Sequence, residues 1–309
     1  MRLTQKLGKL AVFDQALNSF LSSAVMTVEN AVYPPKCLVC KAFFKQSWHY
    51  NDVGDLIEEI KAGLCLQKEP AESADPFDVF DFFPFNRLMS PFLCPACAAD
   101  FLSVESPFCL MCGIMFKSRE YKDHVCGMCI KSPKKFGMAR AVGIYGNKLK
   151  PAVHSFKYNG KIQLAKPFGI LLFLTFIKYW HNKKIDIIIP VPLHKKRLRV
   201  RGFNQAFLLV KNWNKTARLL NMDFDNIHID TKTFVRHKWT EPQAGLGIKQ
   251  RMNNIKNSFK VIDASKIFGK KILLVDDVYT TGATLDECAG VLLKAGVKNV
   301  DALTLARTM

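Results

Sequence analysis

The chain of 309 residues lacks the features that would direct it through or into a membrane. Its first residues do not combine a basic head with a long apolar core, so we expect no secretory leader. The most apolar run, residues 168–180, is interrupted by Lys178 and is shorter than the roughly 20 residues of a membrane helix. We therefore predict no transmembrane span and interpret this run as a helix buried in a protein core.

Acidic residues are scarce in the second part of the chain. Residues 1–136 contain 15 Lys and Arg against 15 Asp and Glu, whereas residues 137–309 contain 30 against 11. The whole net charge of +19 therefore lies in the second part, which is more than solubility requires. An excess of this kind predicts affinity for a polyanion, such as nucleic acid, anionic lipid or a polyphosphate ligand.

The cysteines are arranged for metal ligation. Eight of the ten form four Cys-x-x-Cys pairs, and without a secretory leader this favours zinc in a reducing cytoplasm over disulfides. Thirteen residues separate the last two pairs, a spacing typical of a zinc ribbon, whereas fifty-three separate the first two. Cys65 is an alternative ligand. The pairing predicted for two structural zinc ions is Cys37 and Cys40 with Cys94 and Cys97, and Cys109 and Cys112 with Cys126 and Cys129.

Composition divides the chain into three parts. Residues 1–30 contain an amphipathic helix at 3–24, which packs on the protein's own body or on a partner or membrane surface. Residues 31–136 hold the cysteine pairs, and the stretch 44–92, rich in acidic residues, Pro and Phe, is interpreted as a partly disordered insertion. Residues 137–309 form the third domain.

Strands and helices alternate in the third domain. This alternation predicts a mainly parallel α/β sheet with its sites at the carboxyl ends of the strands. The predicted strands are 139–145, 186–190, 271–277 and 297–306, and the predicted helices are 151–156, 165–180, 202–219, 248–258 and one ending near 295.

The end of the apolar strand 271–277 predicts a phosphate site. Two carboxylates, Asp276 and Asp277, precede a loop of small and polar residues and a helix. Backbone N–H groups at a helix start bind anions, and neighbouring carboxylates suit ribose hydroxyls or hydrated Mg²⁺. The predicted phosphate loop is Thr280, Thr281, Gly282, Ala283 and Thr284. The whole string resembles the signature of type I phosphoribosyltransferases.

A dense basic segment follows the strand at 186–190. We predict it to be a loop that binds a polyanion, in a position that resembles the pyrophosphate loop of the same enzymes; a solvated basic loop is the alternative. Its charged residues are Lys195, Lys196, Arg197, Arg199 and Arg201.

Residues 31–309 outside the insertion resemble the competence protein ComF family, in which a double zinc ribbon precedes an amidophosphoribosyltransferase-like domain. Lys157 matches a lysine near the start of that domain. The other matching positions are Pro190, Val191, Pro192, Leu193, Arg197, Arg201, Gly202, Phe203, Asn204, Gln205, Thr240, Gln243, Arg251, Asn254 and the phosphate loop.

The resemblance implies a type I phosphoribosyltransferase sheet behind an N-terminal double zinc-ribbon domain, and binding of phosphoribosyl pyrophosphate (PRPP) with Mg²⁺. The loop Thr280–Thr284 would hold the 5′-phosphate. The catalytic residues Asp276 and Asp277 would hold the ribose, and Arg197 and Arg201 would bind the pyrophosphate. Residues 239–247 would form a lid over the site. The acceptor for phosphoribosyl transfer is not identified.

The same resemblance implies a role in natural transformation. The expected partners are single-stranded DNA, with Tyr158, Phe203 and Trp239 as candidates for base stacking, and competence machinery such as a DNA-uptake helicase or channel. The expected location is the cytoplasm, with peripheral attachment to the inner membrane left open. The alternatives are a non-catalytic PRPP sensor or DNA-binding adaptor, and a zinc-ribbon adaptor with a vestigial domain.

Overall fold

The computed structural model describes residues 34–45, 57–58, 60–61, 85–117, 122–146, 148–224, 226–240 and 255–309. The predicted helix 3–24, Cys65, and most of the predicted insertion, lid and helix 248–258 lie outside the described residues. Gln243, Arg251 and Asn254 also lie outside them.

The cysteine-rich part consists of tight turns and short helices. Cys94 and Cys126, each in extended conformation, directly precede the helices that contain Cys97 and Cys129, so the two sulfurs of each pair come from one turn. The helices of this part are α1 (Phe85–Met89), α2 (Pro95–Ala99) and α3 (Gly127–Lys131).

The second part is built on a parallel sheet. In chain order its elements are β1 (Ala139–Ile144), α4 (Leu149–Tyr158), a 3₁₀ turn (Ile162–Leu164), α5 (Ala165–Trp180), β2 (Ile187–Pro190), α6 (Lys195–Arg201), α7 (Gln205–Val210), α8 (Trp213–Leu219), β3 (His228–Ile229), β4 (Phe234–Arg236), β5 (Phe259–Val261), a second 3₁₀ turn (Ala264–Lys266), β6 (Lys271–Tyr279), α9 (Ala283–Lys294) and β7 (Asn299–Arg307).

The strand order of the parallel sheet is β1-β7-β6-β2-β3, and β4 and β5 make a separate antiparallel hairpin. The parallel α/β architecture predicted from the sequence is confirmed.

Helix α5 is the centre of the larger hydrophobic core. With the preceding 3₁₀ turn it is long and apolar enough to cross a bilayer by length and composition alone, but 72% of the segment is buried in the protein. Phe173 and Phe176 pack against the rings of Trp213 and Phe224, and Trp180 donates its indole N–H to Asp301. These contacts agree with the predicted core helix.

Two sequence predictions are wrong in detail. The basic segment predicted as a loop is helix α6, because the His194 side chain accepts a hydrogen bond from the Lys196 N–H at its start and Gly202, with φ of +81°, ends it. The single helix predicted at 202–219 is two helices, α7 and α8. The break at residues 211 and 212 lets Trp213 donate to the Gly169 carbonyl.

The structure also contains two features that were not predicted. Strand β6 continues two residues past Asp277, because Val278 and Tyr279 pair with Ala306 and Arg307 of β7. The β4–β5 hairpin has no counterpart among the predicted elements; its strands have only three residues each.

Candidate functional site

A cleft of about 750 Å³ opens at the carboxyl ends of β2 and β6. These strands are hydrogen-bonded neighbours, so the loops that follow them meet at one edge of the sheet. The lining residues are Tyr145, Lys157, Tyr158, Gly160, Val191, Pro192, Leu193, Arg197, Val200, Arg201, Phe203, Arg236, Trp239, Asp276, Asp277, Val278, Thr280 and Thr284.

The phosphate loop joins β6 to α9. Gly282 has a φ of +75° and is the residue before the first turn of α9, while Thr281 Oγ1 accepts a hydrogen bond from the Ala283 N–H. Thr308 holds the first residue of the loop, because its Oγ1 donates to the Thr280 carbonyl at 3.2 Å. Thr280 and Thr284 line the cleft, whereas Thr281, Gly282 and Ala283 shape the turn behind them.

The two predicted carboxylates have different environments. Asp277 is buried and forms an ion pair with Lys157, with Nζ and Oδ1 2.7 Å apart. Asp276 is half-buried, and burial together with the charge of Asp277 raises its pKa to about 7. Burial opposes the charge of Lys157, but the charge of Asp277 and their hydrogen bond hold the Lys157 pKa above its ordinary value.

Helix α6 brings two of its five basic side chains into the cleft. Arg197 and Arg201 are four residues apart and share one helix face, whereas Lys195, Lys196 and Arg199 do not line the cleft. Burial, and next the charge of Arg201, lowers the pKa of Arg197. Arg201 lies 4.8 Å from the ring centroid of Tyr158, and Arg197 lies 5.7 Å from that of Trp239.

Several lining residues were not predicted as ligand contacts. Tyr145 follows the end of β1 and Arg236 ends β4, and neither gave a local signal in the sequence. Lys157 was noted only as a family match. Of the three aromatic residues proposed for base stacking, Tyr158 and Trp239 are 62% and 40% exposed, but Phe203 packs against Phe156 of the core.

Two clusters of cysteine sulfurs lie in the cysteine-rich part. In each cluster the four sulfurs lie within 4.8 Å of one another, in the pairing predicted from the spacing. The N-terminal cluster consists of Cys37, Cys40, Cys94 and Cys97, and the second cluster of Cys109, Cys112, Cys126 and Cys129.

The chemistry of both clusters fits a thiophilic divalent cation. Burial opposes ionisation of Cys37 and Cys109, but backbone N–H groups, led by that of Cys94 for Cys37 and of Cys126 for Cys109, lower both pKa values to about 6. Burial and the neighbouring sulfurs raise the pKa of Cys97 to about 12. Four thiolates at this distance repel one another unless a cation lies between them, which is how zinc holds such sites.

Comparison with known proteins agrees with this architecture. Residues 215–309 match the family model described as phosphoribosyl transferase domain. "Competence protein F" of Haemophilus influenzae is 33% identical over 219 residues, which cover 70% of this chain and 90% of that protein. The chain therefore belongs to the competence protein F family.

Two further relatives match an equal share of the chain. "DNA utilization protein YhgH" of Escherichia coli K12 is 28% identical and matches over 70% of this chain and 91% of its own length. "Competence protein ComFC" of Bacillus subtilis is also 28% identical and matches over 70% of this chain and 84% of its own length. This chain thus contains a phosphoribosyl transferase domain preceded by two Cys₄ clusters compatible with a zinc ribbon, and its relatives are named for competence and DNA utilization.

Proposed function

We propose that the cleft binds PRPP as its Mg²⁺ complex. The observation that carries this proposal is the convergence of three kinds of group on one volume: the phosphate loop, the acidic pair Asp276 and Asp277, and the guanidinium groups of Arg197 and Arg201. The loop N–H groups suit the 5′-phosphate, the carboxylates suit the ribose hydroxyls, and the arginines suit the pyrophosphate. Mg²⁺ would be held mostly by oxygens of the ligand.

The charges of the cleft support a polyanionic ligand. Four cations, Lys157 and three arginines, face two carboxylates, and one of these carboxylates has a pKa of about 7. This cationic excess complements a sugar phosphate that carries a diphosphate. We propose phosphoribosyl transfer to an acceptor of unknown identity, in which the acidic pair stabilises positive charge developing at C1′. Binding without turnover is the alternative, and release of pyrophosphate from bound PRPP separates the two.

Calorimetry with the full chain tests the binding proposal. The double variant Asp276→Ala with Asp277→Ala should lose Mg²⁺-dependent PRPP binding, because the ribose then lacks its hydroxyl acceptors. Circular dichroism and zinc content should stay unchanged in this variant. Unchanged affinity would remove the acids from the site.

We also propose that each sulfur cluster binds one zinc ion. The support is the arrangement of four sulfurs within 4.8 Å in both clusters. Zinc binding to such sites contributes about 10–16 kcal/mol to folding, so a chelator should unfold the cysteine-rich part. Elemental analysis should give two zinc ions per chain, and a content of one would show that the long separation between the first two pairs has disabled the N-terminal cluster.

The proposed cellular role is the handling of single-stranded DNA during competence. It is supported by the names of the relatives and by the net charge of +19 in residues 137–309. Binding measured by fluorescence anisotropy should weaken steeply between about 50 and about 200 mM salt, because phosphate contacts release counterions. Salt-independent binding, or none, contradicts this role. In cells the acidic-pair variant should lose transformation but keep its DNA affinity, and normal transformation would show that the PRPP site is dispensable.

A further inference from the structure

Arg236 is a buried cation that forms no ion pair with the described residues. It ends β4, lines the cleft, and is only 8% exposed. Its terminal nitrogen donates to the Thr240 hydroxyl, its guanidinium lies 5.5 Å from the Phe259 ring centroid, and its buried Nε has no hydrogen-bond partner. Within the described part of the chain no carboxylate lies at salt-bridge distance from it.

The other buried arginines of the described chain are used differently. The buried Nε of Arg140 also lacks a hydrogen-bond partner, but Arg140 donates to two backbone carbonyls and contacts the rings of Phe108 and Tyr179. Arg307 donates to the carbonyls of Cys112 and Thr308. Neither lines the cleft. Carbonyl acceptors and enclosing rings are typical of a structural arginine, whereas Arg236 has one hydroxyl and an open face toward the cleft.

A neighbouring positive charge increases the cost of burying Arg236. Burial lowers the pKa of Arg236, and the charge of Arg197 lowers it further, while the more weakly acting Asp276 opposes this shift. Two guanidinium groups at a cleft wall repel each other, and a buried cation without an ion-pair partner destabilises the fold. An anion between the two groups reverses both effects, and two forked guanidinium groups match the oxygens of a diphosphate.

We propose that Arg236 is a ligand-binding residue that, together with Arg197 and Arg201, contacts the diphosphate of the ligand. This inference rests on the proposed function, since it assigns one more contact within the same cleft. The 5′-phosphate has its own N–H donors in the loop Thr280–Thr284, so Arg236 distinguishes ligands with a diphosphate from ligands without one. The β4–β5 hairpin thereby contributes to the site.

The test compares three ligands on the full chain in the presence of Mg²⁺: PRPP, inorganic pyrophosphate and ribose 5-phosphate. Arg236→Gln should weaken binding of PRPP and pyrophosphate by about tenfold or more, the loss of one charge-assisted contact, and leave ribose 5-phosphate unchanged. Equal weakening for all three ligands, or none, would overturn the proposal. Arg199→Gln, on α6 but outside the cleft lining, is the matched control and should change none of the affinities.

Thermal stability without ligand separates this role from a structural one. Because Arg236 lacks a counter-ion, the Arg236→Gln protein should melt at the same temperature as the wild type or higher. A clearly lower melting temperature, or failure to fold, would show that the guanidinium is structural and would overturn the proposal. Arg236→Lys keeps the charge and should lose less affinity for pyrophosphate than the Gln variant. If wild-type protein binds no PRPP at all, the proposed function fails, whereas normal binding by Arg236→Gln refutes this inference alone.

Discussion

The guanidinium of Arg307 lies 4.6 Å from the ring centroid of Tyr279 and donates a hydrogen bond to the carbonyl of Cys112. Tyr279 is buried, and its hydroxyl packs against Gly282, so that a Cβ at Gly282 would overlap it. Cys112 belongs to the second sulfur cluster, and Gly282 belongs to the phosphate loop. A chain of direct contacts therefore connects the two sites through side chains of β6 and β7.

Because of this connection, metal loss from the two clusters should have different consequences for the cleft. Replacing Cys126 and Cys129 by Ser should remove one zinc ion and weaken PRPP binding, by about fivefold to a hundredfold for a coupling of ordinary size. Replacing Cys94 and Cys97 by Ser should also remove one zinc ion but leave the affinity nearly unchanged, since the contacts through Arg307 and Tyr279 lead from the second cluster and not from the N-terminal one. Zinc analysis and calorimetry on both variants check this prediction. Equal loss of affinity in both would show that metal acts only through overall stability.

The contacts behind this prediction also show what a sequence can reveal. The strand, turn and helix around the loop Thr280–Thr284 and the pairing of the second sulfur cluster were predictable, because the former depends on contiguous residues and the latter on a short spacing of thirteen residues. Arg307 and Cys112 are 195 residues apart in the chain, and nothing local to either residue indicates their contact. Arg236 was missed for the same reason, because an isolated arginine on a three-residue strand has no pattern around it.

The error at α6 has a different cause. Five cations within seven residues suggested a polyanion-binding loop, yet the two ends of the segment contain local helix signals: a side chain at His194 that accepts from the Lys196 N–H, and Gly202 in the left-handed conformation. The helix matters for the site, because it selects Arg197 and Arg201 by their spacing of four residues. Charge density alone could not identify these two arginines as the residues of α6 that line the cleft.

The titration of Asp276 predicts how stability depends on pH. Its pKa is raised to about 7, so the folded state holds a proton that the unfolded chain loses near pH 4, and Asp276 lowers stability as pH rises through this interval. Asp276→Asn should therefore match the wild type near pH 4 and exceed it at pH 8, by about 1.4 kcal/mol for each unit of the shift. Urea denaturation at both pH values measures the difference. A variant that is less stable than the wild type at pH 8 would contradict the raised pKa.

Lys157 and Asp277 should behave as a coupled pair. Asp277 is buried and Lys157 is partly buried, with their charged atoms 2.7 Å apart, so Lys157→Met leaves a buried carboxylate without its partner and should cost about 3 kcal/mol of stability, the lower end of the range for buried pairs. Adding Asp277→Asn in the same chain removes the orphaned charge and should restore part of that loss. Chemical denaturation of the two single variants and the double variant gives the coupling energy. Additive losses would mean that the pair contributes nothing beyond its separate residues.

Gly282, the glycine of the phosphate loop, should not tolerate replacement. Its φ of +75° disfavours any residue with a Cβ, and an added Cβ would also overlap the ring and hydroxyl of Tyr279. Gly282→Ala should therefore lose about 1–3 kcal/mol of stability and most of its PRPP affinity, because the turn that presents the loop N–H groups must shift. Denaturation and calorimetry measure the two effects.

The variant Gly269→Ala separates the effect of the positive φ from the effect of the overlap with Tyr279. Gly269 has a similar φ of +69°, but a Cβ there would meet no atom within 4 Å, and it lies outside the cleft lining. This control should lose only the stability that the positive φ costs, about 1 kcal/mol, and keep the wild-type affinity. Tyr279→Phe in the Gly282→Ala background removes the hydroxyl, so it should recover part of the lost stability. If Gly282→Ala and Gly269→Ala lose equal stability and both bind PRPP normally, the contact between Tyr279 and Gly282 does not shape the loop.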